Sequence, residues 1–115
     1  MPIELGQRPT ISAGDVDVGT VEFLDYLDTG ELLTGTPTVV EITSTDLTIA
    51  NVAVNTVALT DVLGNSVKIG QAVQFSVTGQ VANTNYRLRV TAATDATVPR
   101  TVVRDAILKV APTLT

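Results

Sequence analysis

The side chains that could take part in catalysis in this 115-residue chain are mainly carboxylates, and the densest group is Asp25, Asp28 and Glu31. Glycoside hydrolysis requires two carboxylates held across a cleft, one of them with a raised pKa. Such sites also need aromatic platforms for the sugar rings, and aromatic residues make up only 3% of this chain. We therefore interpret the group as a solvated acidic loop.

A second acidic group, Asp15 and Asp17 with Glu22 nearby, could supply oxygen ligands to a calcium ion. On a strand, the side chains of Asp15 and Asp17 would point to the same face. The segment has neither the Asx-rich loop nor the distal glutamate of a dedicated calcium site. We interpret it as a charged strand edge that discourages pairing with other sheets, and we predict no metal and no other cofactor.

Composition removes most other catalytic chemistry. The chain contains no histidine and no cysteine, so it lacks the usual general base and the thiolate nucleophile. Lys68 and Lys109 leave a serine–lysine pair as the remaining option, but neither lysine lies in a recognisable motif. The glycines form no phosphate-binding loop either. We predict that the protein is not an enzyme.

Charge and hydropathy restrict the partners. A net charge of -5 argues against nucleic acid, because neutralising phosphates needs a basic surface. No apolar run approaches the length of a membrane span, so no membrane contact is predicted. The N-terminus lacks the basic region and apolar block of a signal peptide, which predicts synthesis in the cytoplasm without export.

The elements that must position the polar side chains are strands, organised around Gln71–Ala93. Two alternating apolar series lie there, and they predict two strands that each bury one face. The series are Val73, Phe75 and Val77, then Tyr86, Leu88, Val90 and Ala92. Arg87 and Arg89 fall between the apolar positions of the second strand and are predicted to face solvent. Tyr86 is predicted to form a tyrosine corner.

The whole chain shows the same kind of pattern. Roughly seven short strands are separated by turn signals at spacings of about 8 to 12 residues. Predicted details are a bulge near Asn51, a hairpin turn at Gly64-Asn65 and a short helical turn whose Tyr26 and Leu27 close one end of the core. We predict an all-β, immunoglobulin-like β-sandwich over residues 19–115, preceded by an extended N-terminal arm over residues 1–18.

The first 14 residues predict an arm rather than a secondary-structure element. Pro2 and Pro9 limit helix formation, and the apolar residues Ile3, Leu5 and Ile11 are spaced singly. Two interpretations remain open at this point. The segment is either a frayed terminus or an arm that adds itself to the sheet edge of a neighbouring subunit, with these three apolar residues as its contacts.

Arginines form the other candidate contact surface. Arg87 and Arg89 share the outer face of one predicted strand, and Arg104 is predicted to lie beside them on the last strand. The alternatives are a solvated face paired with carboxylates and a patch that orients an acidic protein partner.

Three segments resemble the small immunoglobulin-like virion proteins of tailed bacteriophages, the fiber-tail adaptor or neck proteins. They are EFLDYLDTGELL near the start, GQAVQFSVTGQVANTNYRLRVTAATDA and the closing RTVVRDAILKV, and the resemblance spans Gly19 to Val110. The matched motifs are Asp25-Tyr26-Leu27, the Gly79 to Tyr86 segment and the Arg104-Asp105 pair. The chain departs from the family in having no tryptophan in its first strand.

This resemblance implies a non-enzymatic structural role in a virion, as an adaptor at the neck or tail that contacts other virion proteins in a symmetric homo-oligomer. A capsid decoration protein is an alternative, because the Thr/Val bias of the strands also suits that class. A carbohydrate- or cell-surface-binding module is a further alternative, which the shortage of aromatic residues disfavours.

Overall fold

The computed structural model describes residues 3–8, 16–60, 64–81 and 83–110, with the backbone alone for residues 3–8 and for Asp17. These residues form nine β-strands and one short turn of 3-10 helix at Leu24–Tyr26. The strands are β1 (Ile3–Arg8), β2 (Asp17–Glu22), β3 (Leu33–Glu41), β4 (Thr48–Val54), β5 (Leu59–Thr60), β6 (Ser66–Val67), β7 (Ala72–Thr78), β8 (Asn85–Thr94) and β9 (Thr101–Val110).

Seven of the described strands form two sheets that pack face to face. One sheet has the order β1-β9-β8-β3, the other has the order β2-β7-β4, and β5 and β6 form a separate small hairpin. If β1 to β4 are strands A to D and β7 to β9 are E to G, the sheets contain the B-E-D and C-F-G orders of an immunoglobulin domain. The predicted all-β, immunoglobulin-like sandwich is confirmed.

The core lies where the sequence alternation predicts it. The apolar series of β7 and β8 are buried, and the inward residues of β9 join them. These residues are Val73, Phe75, Val77, Tyr86, Leu88, Val90, Ala92, Val102, Ala106, Leu108 and Val110. Because β7 and β8 belong to different sheets, the loop between them crosses the end of the sandwich.

Tyr86 forms the predicted tyrosine corner. Its phenol oxygen accepts a hydrogen bond from the backbone N–H of Val81 at 2.8 Å, five residues upstream. The hydroxyl donates to the Asp46 carboxylate at 3.1 Å. Burial, together with the nearby Asp46 charge, raises the pKa of Tyr86. The corner therefore joins the start of β8 to the loop that precedes β4.

The buried face of β2 includes a glycine. Val21 and Phe23 are buried, whereas Val18 is exposed and Gly19 takes the inward position. A Cβ atom at residue 19 would lie 2.5 Å from Cζ of Phe75. The glycine is therefore part of the core packing, because its missing side chain leaves room for the Phe75 ring.

The predicted irregularity near Asn51 is a bulge in β4. The register with β7 shifts between Ala50 and Ala53, and Asn51 adopts a left-handed backbone conformation with φ of 54°.

Beyond β4, the β5–β6 hairpin is anchored by the buried side chain of Asn55. Its Oδ1 accepts from the N–H groups of Gly70, Gln71 and Ala72, and its Nδ2 donates to the carbonyls of Val57 and Lys68.

The N-terminal segment is more ordered than predicted. Residues 3–8 form β1, which pairs in parallel with β9 at the edge of the four-stranded sheet, and β2 already begins at Asp17. The prediction that residues 1–14 contain no secondary-structure element is therefore wrong for β1. An exposed β9 edge would leave backbone groups unpaired, and an extended segment satisfies them.

Candidate functional site

The outward face of the four-stranded sheet carries the most concentrated polar cluster. Arg87 and Arg89 project from β8, and Asp105 lies opposite Arg89 in the register between β8 and β9. Arg89 binds the carboxylate through two nitrogens, Nε at 2.9 Å and Nη2 at 3.1 Å. Arg87 Nε donates to the same carboxylate at 3.1 Å. One aspartate therefore orients two arginines.

The charges in this cluster do not balance. Hydrogen bonds from Arg89 are the main cause of the lowered pKa of Asp105, and Arg87 adds to the effect. The carboxylate consequently stays ionised, and two guanidinium groups sharing it leave one formal positive charge on this face. Both arginine side chains are about half exposed. We call Arg87, Arg89 and Asp105 the arginine cluster.

Exposed apolar side chains border the arginine cluster on the same face. Val40 pairs with Arg89 in the register between β3 and β8, while Val103 pairs with Thr91 on the β9 side. Both valines are exposed, as is Ile42 just after the end of β3. A face with cations at its centre and β-branched residues around it offers both orientation and apolar area to a protein partner.

Arg104 lies on the neighbouring last strand, as predicted, but it does not share the outward face of Arg87 and Arg89, so its predicted place in that contact surface is wrong. Asp105, the next residue of β9, faces outward. Because successive side chains of a strand point to opposite faces, Arg104 faces inward. Its Nη1 donates hydrogen bonds to the carboxylate and to the backbone carbonyl of Glu22. Its guanidinium lies 5.3 Å from the centroid of the Tyr26 ring. Arg104 therefore closes one end of the core together with Tyr26.

The sequence interpretation held that the acidic group Asp25, Asp28 and Glu31 is solvated. This interpretation is wrong for Glu31. Asp25 and Asp28 are partly or largely exposed, but Glu31 is buried and paired with Arg100. Arg100 also donates to the carbonyl of Tyr26 at 2.8 Å. The prediction failed for Glu31 because its partner lies 69 residues away in the sequence.

The remaining candidates give no assembled site. Ile3 and Leu5 lie on β1, with no description of their side chains, and Ile11 lies outside the described residues, as does Asp15. Glu22 is engaged by Arg104 rather than by an acidic neighbour. Among the residues described, no three acidic side chains come close enough to hold a metal ion. No helix in this part of the chain is long and apolar enough to cross a membrane.

Comparison of the chain with protein families, curated proteins and solved structures finds no match. The arginine cluster, with its border of exposed Val40, Ile42 and Val103, is therefore the candidate site on structural grounds. Sequence reasoning identified Arg87 and Arg89 but missed the part played by Asp105. The alternation of β9 carried the missing signal, because the inward Ala106 and Leu108 require Asp105 to face outward.

Proposed function

We propose that this protein is a non-enzymatic structural component of a tailed-phage virion. It acts as an adaptor at the neck or tail that attaches fibers or joins neighbouring virion proteins. The observation that carries the proposal is the arginine cluster set among exposed Val40, Ile42 and Val103 on one sheet face. Apolar area of this kind supplies affinity on docking, and the charges fix the orientation of the partner.

The chemistry of the face favours an acidic protein surface as the partner. The cluster holds one more positive than negative charge, whereas the chain as a whole has a net charge of -5. An acidic surface could approach this face without the repulsion that it would meet elsewhere on the protein. In a symmetric particle such contacts are repeated, so a modest affinity for each contact gives stable attachment.

The residues that carry the family resemblance also support the proposal. Tyr26 of the Asp25-Tyr26-Leu27 motif is covered by Arg104 of the Arg104-Asp105 motif. The next residue, Asp105, faces the opposite side and holds the two outward arginines. In the Arg104-Asp105 motif, Arg104 therefore closes the end of the core, and Asp105 orients the two arginines of the outer face.

The experiment that tests the proposal measures incorporation into particles. Phage particles produced with the Arg89→Glu variant should contain much less of the protein than wild-type particles, as quantified by mass spectrometry of purified particles. The purified variant should remain folded, as measured by circular dichroism. Lys68→Glu is the control, because it makes the same charge change at an exposed residue outside this face. Wild-type incorporation of Arg89→Glu would contradict the proposed docking face, and absence of the wild-type protein from particles would contradict the virion role.

Two alternatives predict different results. A capsid decoration protein would occupy the capsid lattice, so electron cryomicroscopy of the particle would show it on capsid subunits instead of at the neck or tail. A carbohydrate- or cell-surface-binding module would give a saturable signal on a glycan array. We expect a neck or tail position and no saturable glycan binding.

A further inference from the structure

We propose that two copies of this chain associate through β3, edge to edge and antiparallel, across a twofold axis. Among the described strands, β3 is hydrogen-bonded to β8 alone, so its other side is the edge of the four-stranded sheet. The occupant of this edge is the β3 strand of a second copy. The inference does not rest on the virion role or on the docking face proposed above.

The backbone groups at this edge can be identified from the pairing with β8. The N–H of Ile42 donates to the carbonyl of Arg87 at 2.9 Å. Hydrogen-bonded and non-bonded pairs alternate along an antiparallel ladder. Val40 therefore bonds toward β8, whereas the N–H and C=O groups of Val39 and Glu41 point to the open edge. These are the groups that an added strand would pair.

The other sheet edges carry features that hinder strand addition. β1 contains charged Glu4 and an irregular register, β2 begins with charged Asp17, and β4 is interrupted by the bulge at Asn51. In β3, an irregularity that includes Pro37 affects only the first half. The second half, Thr38–Glu41, keeps an unbroken register with β8. It is the part of these edges best suited to pairing.

The outward side chains near this edge are apolar. Val40 is 54% exposed and Ile42 is 43% exposed, at positions where edge strands are commonly protected by lysine. The carboxylate of Glu41 is directed into its own loop, where it accepts hydrogen bonds from the hydroxyls of Thr43 and Ser44 and from the N–H of Leu47. The edge therefore presents apolar side chains and free backbone groups without an outward charge.

A second copy fits this edge in one register better than in the others. With the twofold axis at Val40, Val39 pairs with Glu41 of the second copy, and the two Val40 side chains meet. Ile42 then lies opposite Thr38 of the second copy, so no like charges face each other. An axis at Glu41 would place the two glutamates opposite each other, and an axis at Val39 would bring Pro37, which has no N–H, into the ladder.

The test compares two exposed valines of the same sheet face. Val40→Lys places a charge at the open edge, while Val103→Lys places it on β9, which has neighbours on both sides. By sedimentation equilibrium, the wild type and Val103→Lys should have twice the 12.0 kDa chain mass, and Val40→Lys should have the chain mass alone. A monomeric wild type or a dimeric Val40→Lys would overturn the proposal.

Amide hydrogen exchange then identifies the surface that pairs. In the dimer, the N–H groups of Val39 and Glu41 should exchange more slowly than in Val40→Lys, since the second strand accepts their hydrogen bonds. The amide of Val73, on a strand of the other sheet, serves as an internal reference that should not change. A dimer whose Val39 and Glu41 amides exchange as fast as in the monomeric variant uses another surface, and this result would also overturn the proposal.

Discussion

The carboxylate of Glu31 lies against the guanidinium of Arg100, with only 4% of the glutamate side chain exposed. Arg100 contacts both carboxylate oxygens, through Nε at 3.1 Å and through Nη2. The backbone N–H of Asp28 donates to the same carboxylate at 2.9 Å. These hydrogen bonds, with that from Arg100 the largest influence, lower the pKa of Glu31 from 4.5 to about 2. The pair connects the segment before β3 to the start of β9.

This lowered pKa predicts an acid-sensitive contribution to folding. Because the pKa of Glu31 is lower in the folded than in the unfolded protein, its contribution is complete above pH 4.5. It should be lost as the pH falls from 4.5 to about 2. Urea unfolding across this range should show a smaller loss of unfolding free energy for Glu31→Gln than for the wild type. Asp25→Asn, at an exposed position, is the control and should keep the wild-type slope.

The two arginine environments predict different costs on substitution. The side chains of Arg104 and Glu22 are only 11% and 18% exposed, so Arg104→Met leaves a largely buried carboxylate without its partner. We expect the unfolding free energy to fall by roughly 3 kcal/mol. Arg89→Met leaves Asp105 paired with Arg87 and removes an arginine that is itself about half exposed, so it should cost at most about 1 kcal/mol. Chemical denaturation of both variants measures the difference, and equal costs would contradict the inward assignment of Arg104.

The tyrosine corner predicts the effect of a single hydroxyl. Tyr86→Phe keeps the buried ring but removes the acceptor of the Val81 N–H and the donor to Asp46. We expect a loss of about 1 to 2 kcal/mol in unfolding free energy, since a typical hydrogen bond contributes about 1 kcal/mol. Tyr26→Phe is the matched control, because its hydroxyl makes no hydrogen bond among the residues described. An unchanged stability for Tyr86→Phe would mean that the corner is not formed in solution.

Local patterns predicted the features that depend on neighbouring residues. The alternation in β7 and β8 identified their buried faces, and the phase change at Asn51 identified the bulge, because both follow from side chains two residues apart pointing the same way. The turn containing Tyr26 was predicted for a similar reason. Its apolar residues are too closely spaced for one face of a strand.

Features that depend on distant residues were not predictable in this way. Glu31 was assigned to solvent because nothing near it in the sequence indicates Arg100. The inward position of Gly19 depends on the Phe75 ring, which lies on a different strand. For Arg104, the alternation of β9 indicated an inward position, but the charge of the side chain favoured an outward assignment. The aliphatic stem and the ring of Tyr26 allow this arginine to lie at the end of the core instead.

The last prediction concerns the N-terminal strand, which pairs with β9 at its outer edge. Deletion of residues 1–14 leaves β2 to β9 and their core residues in place, so the shortened domain should still fold. It should unfold at a lower urea concentration, because β9 loses its parallel partner between Ala106 and Val110. In the interpretation in which the arm contacts a neighbouring subunit, which the sequence leaves open, the deletion should also abolish incorporation into particles.

A peptide with the sequence of residues 1–14, added to the shortened protein, separates the two roles of this segment. If β1 acts by pairing with β9, the peptide should restore slow hydrogen exchange to the β9 amides that face it. A peptide with Gln7 replaced by proline is the control, because Gln7 pairs with Lys109 and proline has no N–H to donate. Unchanged exchange of β9 after the deletion would mean that β1 does not occupy this edge in solution, and normal incorporation of the shortened protein would exclude the arm as an assembly contact.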